Sequence, residues 1–465
     1  MGLDCHHRHV ALLAFPFGTH AAPLFSLASA LAAASPSSAG VVFSFLTSAR
    51  SAASLGTSTC PPNLRIFEVS DGRPEGHVAA FEHPQEEVKR FMAETPRNFE
   101  SAMEAAVGTA GGLRITCLIS DAFLWFVGEM AAGMGVPWVA LWTGGPCSLS
   151  AHLYTDLLRG KFGVMGKGMD AGLPDASLSN GDEDLGFIRG LAGLRIRDLP
   201  DGIVSGDIAG KFAELLHKMG QKLPTADAVA LNSFEGLNSD LDLDFTSKFK
   251  KSLQIGPLNL LNPSQSEPDR YNCIQWLNRL EPSSVLYISF GTIMNLQPPE
   301  LAELAEGLEA SGVLFLWSLK DFAREHLPAG FLDRTKDRGL VIPWVPQVEV
   351  LGHAAVGAFV THCGWNSVLE SITGGVPMVC RPFLGDQMMN ARTVSHVWRV
   401  GVGFEGGAMK KDEVVRVLER VVKDEEGRIM RERMKALKEI AVRAVQPGGS
   451  SVQNVKSLLE IVIGG

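Results

Sequence analysis

At 465 residues the chain exceeds what a single hydrophobic core organises, and its 46 % hydrophobic and 20 % charged residues are those of a folded enzyme. A net charge of −9 argues against nucleic acid or an anionic membrane as the main partner, so a bound phosphate would have to be held by local backbone dipoles. Seven scattered cysteines (5, 60, 117, 147, 273, 363 and 380) without a CxxC pair suggest neither a disulfide framework nor a zinc site, and fit a reducing, cytoplasmic compartment.

The first stretch imitates a secretory signal, because residues 9–49 lack Asp, Glu, Lys and Arg and Arg8 precedes "HVALLAF". Pro16, Pro23 and Pro36 interrupt it, and a strand–helix–strand reading explains it better: "VALLAF", "PLFSLASALAAA", "VVFSFL". "MGLDCH" falls short of a myristoylation signal because position 6 is His. No stable membrane insertion is expected. Strands are then predicted at 9–15, 41–46, 64–69, 115–120, 137–141 and 227–232, with helices at 21–34, 84–106 and 122–134 between them. Polar, Gly-rich 165–185 reads as a surface loop near an opening. A second strand series follows at 283–291, 313–319, 339–344, 356–362 and 377–382, and a last helix follows "QPGGSS". The Pro-, Asn- and Ser-rich run 253–269 between the series reads as a linker. Expected domains are therefore 1–252, then 270–447, with 448–465 a helix packing back on the first. Alternating strands and helices mean α/β architecture, two doubly wound parallel sheets in series, with ligands at the carboxyl ends of the strands. Neither half carries a dinucleotide or P-loop glycine motif in its required context.

Two residues of the first half pair chemically. His20 follows the first strand at the start of a helix, where the dipole disfavours imidazolium and leaves the ring able to accept a proton. Asp121 ends "ITCLISD" on another strand, and parallel strand ends share one sheet edge, so 101 residues of separation permit contact. A carboxylate on one ring nitrogen fixes the tautomer and stabilises the imidazolium. The plainer readings are a cap for His20 and a helix N-cap for Asp121.

In the second half, "GAFVTHCGWNSVLESITGGVP" places His362, Asn366 and Ser367 where an apolar strand meets a helix, whose first N–H groups lack intrahelical partners. That junction suits a phosphate. With its neighbours it forms "WVPQVEVLGHAAVGAFVTHCGWNSVLESITGGVPMVCRPFLGDQ", 44 residues from Trp344 to Gln387. This run resembles the signature box of plant UDP-sugar glycosyltransferases, which implies the GT-B fold, two Rossmann-like doubly wound domains facing across a cleft. The resemblance implies acceptor binding by the first domain and UDP-sugar binding mainly by the second. The residues suit the roles it implies. Trp344 offers a face for uracil and the Val345 backbone pairs with its edge. Gln347 and Glu370 bind ribose hydroxyls; His362, Asn366 and Ser367 face the diphosphate. Gly364 admits close backbone approach, and Trp365 completes the group. Asp386 and Gln387 suit sugar hydroxyls, the closing Gln being associated with glucose in that family. Thr292 in "SFGT" would stabilise the β-phosphate, and Thr143 in "LWTGG" resembles the position reaching the sugar's outer hydroxyl. Taken singly, the tryptophans read as core, Glu370 as a solvated helix residue, Asp386–Gln387 as a turn, Thr143 as a satisfied strand end and Cys363 as packing. It is their joint spacing that marks a donor site.

The resemblance extends along nearly the whole chain. "AFPFGTHAAPL", "VSDGRPEGH", "SDAFLWF", "GQKLPTADAVALNSFE" and "VLYISFGT" are similar to flavonoid 3-O-glucosyltransferases, which act on flavonols and anthocyanidins. It implies His20 as base, Asp121 as its orienter, inversion at the anomeric carbon, UDP-glucose as co-substrate, no other cofactor and no metal. A monomer is expected. Acceptor contacts are expected from Phe17, Gly18, Gln85, Phe123, His152 and Phe383, each of which reads equally as core or surface. Gly18 stands where close relatives often carry Ser, which opens space beside the base and keeps C-glucosylation as the alternative. A GT-B-fold sugar-nucleotide epimerase is disfavoured by the aromatic-rich first half.

Overall fold

The computed structural model describes residues 7–35, 40–55, 60–73, 84–164, 181–261, 269–292, 294–404, 407–422 and 424–464. Residues 165–180 of the predicted loop 165–185 and residues 262–268 of the linker 253–269 lie outside them. The described residues fall into two compact units, the first within 1–164, 202–265 and 444–465, the second within 165–201 and 266–443.

The first unit is a seven-stranded parallel sheet. Its strands are β1 (Arg8–Leu13), β2 (Val41–Thr47), β3 (Leu64–Glu68), β4 (Cys117–Asp121), β5 (Trp138–Trp142), β6 (Ala228–Leu231) and β7 (Ser252–Gln254), in the order β3-β2-β1-β4-β5-β6-β7. The inner strands β5 (WVALW) and β6 (AVAL) read as unbroken apolar runs because both faces are covered, whereas the edge strand β3 (LRIFE) carries exposed Arg65 and Glu68. Val10, Leu12, Phe43, Phe45, Ile119 and Leu141 lie in one core cluster with Leu24, Leu27 and Leu31 of the helix Ala21–Ala34. Leu458 and Val462 of the helix Ser450–Gly464 enter the same cluster. Each such side chain contributes about 1.5–3 kcal/mol by leaving water.

The second unit is a six-stranded parallel sheet of β8 (Val285–Ser289), β9 (Leu314–Ser318), β10 (Gly339–Ile342), β11 (Val356–Thr361), β12 (Met378–Cys380) and β13 (Gly401–Gly403), in the order β10-β9-β8-β11-β12-β13. Its core gathers Leu286, Ile288, Phe315, Trp317, Phe331, Ala358 and Val360.

Three local expectations change. The helix expected at 84–106 is two helices, Pro84–Glu94 and Arg97–Thr109, since Pro96 has no N–H for a continuous ladder. The helix after β4 begins at Val127 rather than 122, so Asp121 is not its N-cap. β7 and the short helix Leu258–Leu261 occupy part of the run read as linker, because its apolar residues Leu253, Ile255 and Leu258 are buried in the first core. Among the described residues, no helix is long and apolar enough to cross a membrane.

Both sheets reverse their strand order at one point, β1/β4 in the first and β8/β11 in the second. Chain leaving the carboxyl ends of these strands diverges in opposite directions and opens a crevice for ligands. Both candidate site groups lie at these points.

Candidate active site

In the first unit, three adjacent strands deliver three polar side chains to one edge. After β1 the chain turns through Gly18, whose φ of +60° lies in the left-handed region. That gives glycine at this position a backbone reason of its own. His20 follows at the cap position of the helix Ala21–Ala34 but makes no side-chain capping bond. Instead its Nδ1 lies 2.8 Å from Oδ2 of Asp121 at the end of β4. Thr143, the first residue after β5, places Oγ1 3.0 Å from the same nitrogen. Thr143, expected at the sugar, thus contacts His20 directly.

Asp121 is 1 % exposed and its Oδ1 accepts the N–H of Phe123 at 2.9 Å. This closes a local turn and fixes the carboxylate plane, so the residue orients His20 and shapes its own backbone together. A carboxylate only accepts hydrogen bonds, so the proton of the neutral ring sits on Nδ1 and Nε2 keeps the lone pair. The His20 side chain is 23 % exposed, open enough to meet a substrate.

Aromatic rings surround this group. The Phe123 ring is 4.5 Å from that of His20, and Phe15 lies 5.2 Å from His20 and 5.3 Å from Phe123. Phe17 packs on Phe15 and on Phe91, while Trp142 and Phe212 each lie 5.9 Å from Phe123. Of the expected acceptor residues, Phe17, Gly18 and Phe123 therefore gather at His20. His152 packs on Trp142 with ring centres 6.0 Å apart, and burial lowers its pKa to about 4, keeping it neutral. Gln85 lies in the helix Pro84–Glu94, but its side chain is outside the described residues. Sequence reasoning did not single out Phe15, Phe91, Trp142 or Phe212. Phe212 shares the helical spacing of the buried Leu215, Leu216 and Met219 on the helix Lys211–Lys222, so in sequence it reads as core, yet it is 38 % exposed.

In the second unit, β11 leads through His362–Gly364 into the helix Trp365–Gly374. Gly364 caps it without a side-chain bond, so the first-turn N–H groups face outward together with the positive end of the dipole. The His362 ring fits between two glycines. A Cβ at Gly364 would lie 2.5 Å from its Nε2, and one at Gly291 (φ +75°) 2.9 Å from its Cε1. Its Nδ1 is buried without a hydrogen-bond partner among the described residues, and burial lowers its pKa to about 4. A buried polar atom left unsatisfied costs about 1–3 kcal/mol, which a phosphate oxygen would recover.

Glu370 stands on the same helix, and burial pushes its carboxyl up to about 7 against the opposing hydrogen bond from Gln347. Nε2 of Gln347 donates to Glu370 Oε2 at 2.6 Å and to Ser367 Oγ at 3.0 Å, while its Oε1 accepts Tyr287 OH at 2.9 Å. Gln347 is thus engaged at both ends of its amide and holds Glu370 and Ser367 in place. Asn366 opens the helix beside Trp365, which is itself buried. Trp344 is half-buried after β10, and the Val345 side chain is buried behind it.

Asp386 and Gln387 begin the short helix Gln387–Arg392. Oε1 of Gln387 accepts the N–H groups of Phe383 and Leu384 at 2.8 and 3.2 Å, which fixes the plane of its amide. Asn390 donates to Asp386 Oδ2 at 2.9 Å and to the Cys363 carbonyl at 3.0 Å, which ties this helix to the phosphate turn. Cys363 itself is buried at φ +63° in that turn and acts as packing. Phe383, expected at the acceptor, packs against Phe290 and under the Arg381 guanidinium in this unit. Thr292 is exposed just beyond β8.

Comparison with known proteins agrees with this geometry. Residues 45–440 match the family described as UDP-glucoronosyl and UDP-glucosyl transferase. The chain is 48 % identical to an anthocyanidin 3-O-glucosyltransferase of Vitis vinifera, over 98 % of this chain and 97 % of that protein. It is 49 % identical to a myricetin 3-O-rhamnosyltransferase of Crocosmia x crocosmiiflora, over 98 % of each. Among solved structures, a UDP-glucose:anthocyanidin 3-O-glucosyltransferase in complex with UDP superposes with a TM-score of 0.90 at 38 % identity, covering 98 % of this chain and 99 % of that one.

Proposed function

The chain belongs to the family of UDP-glucuronosyl and UDP-glucosyl transferases, and from that premise we propose that it transfers glucose from UDP-glucose to the 3-hydroxyl of a flavonol or anthocyanidin. One observation carries the acceptor half of this reading: a histidine oriented by a buried carboxylate at 2.8 Å stands within a patch of aromatic rings. A flat phenol packs on such rings, and its hydroxyl needs a base. The 3-position and the flavonoid class are supported by relatives that share them while using different sugars.

The phenolic proton passes to His20 Nε2, and Asp121 stabilises the imidazolium so formed. The phenolic oxygen forms a bond to the anomeric carbon from the face opposite UDP. The bond from that carbon to the β-phosphate oxygen breaks, UDP departs with the electron pair, and configuration inverts. In the second unit, Trp344 and the Val345 backbone hold uracil, Glu370 the ribose, His362, Asn366, Ser367 and Thr292 the diphosphate, and Asp386 and Gln387 the sugar. UDP-glucose is the co-substrate and the residues above supply the chemistry. We take the protein to act as a cytoplasmic monomer; the six described cysteines form no disulfide among themselves, which fits a reducing compartment.

The test is product analysis of purified protein with UDP-glucose and kaempferol. The expected product loses glucose in mild acid and carries it at the 3-hydroxyl by NMR. An acid-stable product would mean attack by ring carbon and would overturn the O-transfer reading. The backbone role of Gly18 removes the main sequence motive for that outcome.

A further inference from the structure

The donor site poses an electrostatic problem. When the bond to the sugar breaks, the departing diphosphate gains negative charge, and nothing in the signature box offers a full positive charge to meet it. His362 is held neutral by burial. Arg381 is committed to Glu300, with Nε and Nη2 at 2.6 and 2.8 Å from its two carboxylate oxygens.

A cation does stand at the neighbouring strand end, outside the box. Lys320 lies two residues beyond β9, which pairs with β8 on the side away from β11. Its Nζ donates to the Thr292 carbonyl at 2.7 Å and lies 5.9 Å from the centre of the Phe322 ring. Among the described residues, no carboxylate pairs with it, and Asp321 beside it faces Arg324 at 3.5 Å. Partial burial draws its pKa below the ordinary lysine value, the mark of a charge short of compensation. On its other side the Gly291–Thr292 turn touches the His362 ring, so close that Gly291 has no room for a Cβ. The turn is therefore clamped between a lysine from β9 and a histidine from β11.

We propose that Lys320 is a positioning residue of the donor site: its ammonium holds the Gly291–Thr292 turn so that Thr292 is pre-set for the outer phosphate of a nucleoside diphosphate. The inference rests on the donor reading above. The same hydrogen bond brings a positive charge to the Gly291–Thr292 turn, which strengthens binding as negative charge builds on the phosphate beside it. A lysine acting through this turn affects the second phosphate and leaves the first, held at the helix Trp365–Gly374, untouched.

UDP and UMP differ by that second phosphate, so their binding separates this role from a general structural one. Calorimetric titration of both nucleotides into the wild-type protein, K320M and K320R is the experiment. For K320M the expected result is an about tenfold loss of UDP affinity with UMP changed less than about twofold. K320R, which keeps the charge, recovers UDP binding to within about threefold. Equal losses for UDP and UMP, or no loss of either, would overturn the proposal. A wild-type protein that binds neither nucleotide would instead fail the donor reading itself, and the role of Lys320 with it.

Discussion

The two site regions solve opposite problems. In the first unit the polar groups are satisfied within the protein: Asp121 engages His20 with one oxygen and the Phe123 N–H with the other, and aromatic rings enclose them. In the second, polar groups are left waiting: His362 Nδ1 is buried without a partner among the described residues, the helix after it has no side-chain cap, and Glu370 is strained toward protonation. His9 shows what a merely structural histidine looks like, buried with Nδ1 at 2.9 Å from the Leu113 carbonyl and Nε2 at 2.8 Å from Ser44 Oγ. The difference teaches that a base must be oriented before its substrate arrives, whereas a ligand's phosphates and hydroxyls complete an unfinished network. Removing parts of the first region should therefore affect rate, and removing parts of the second should affect affinity.

The largest effect is expected at the base. His20→Ala should lower transfer by about 10³-fold or more while UDP affinity stays within about twofold. A kcat within about tenfold of the wild type together with intact binding would break the assignment. Asp121→Asn is subtler and should cost about 10²-fold in kcat. Asn can still accept the Phe123 N–H with its oxygen, but its NH2 then faces Nδ1 and drives the ring proton onto Nε2, the wrong tautomer for a base. A thermal melt near the wild-type value would separate this from misfolding.

The same contrast explains what could be read in the sequence. The donor region is nearly contiguous, from Trp344 to Gln387, so its residue types and spacings appear together in one window. The contact of His20 with Asp121 was legible because Asp121 ends an apolar strand, where a polar residue is conspicuous, and His20 opens the helix that follows the neighbouring strand at the same sheet edge. The aromatic patch was not. Phe15, Phe91, Trp142 and Phe212 come from four separated elements, and in sequence each looks like ordinary core. β13 and β7 also escaped the strand prediction, since three-residue edge strands carry too few apolar positions to show a pattern. The engagement of Gln347 by Tyr287, Ser367 and Glu370 depends on rotamers and packing that spacing does not encode.

Glu370 sharpens the affinity side of the contrast and fixes a sign. Its carboxyl titrates at about 7 in the unliganded fold, above its ordinary 4.5, so the folded state binds more protons than the unfolded one between those values. Stability from this group is greatest below about 4.5 and is lost as pH rises toward 7. Glu370→Gln should accordingly raise the melting temperature by about 2–4 °C at pH 8 and leave it unchanged near pH 4. The same change should raise the KM for UDP-glucose by about tenfold at pH 8, because a carboxylate accepts both ribose hydroxyls and an amide does not. The wild-type KM should itself rise as pH falls below about 7. A flat KM between pH 6 and 8 would remove Glu370 from the ribose. His362, at about 4, stays neutral across this range and adds no inflection of its own.

The smallest effect is expected where the second region chooses among sugars. Gln387 uses its amide oxygen to hold the Phe383 and Leu384 N–H groups, so only its NH2 can select a hydroxyl. Gln387→His removes that double acceptor and changes the reach of the donor, so both the loop and the sugar contact should adjust. Neighbouring hydroxyl stereochemistry in one hydrogen bond is worth about 1 kcal/mol, which corresponds to a shift of about fivefold in the ratio of kcat/KM for UDP-glucose over UDP-galactose. UDP affinity should not change, since the contacts proposed for the phosphates and uracil are made by other residues. A ratio that moves while UDP binding holds would assign sugar choice to Gln387. An unchanged ratio would leave the choice to Asp386, whose carboxylate is fixed independently by Asn390 at 2.9 Å.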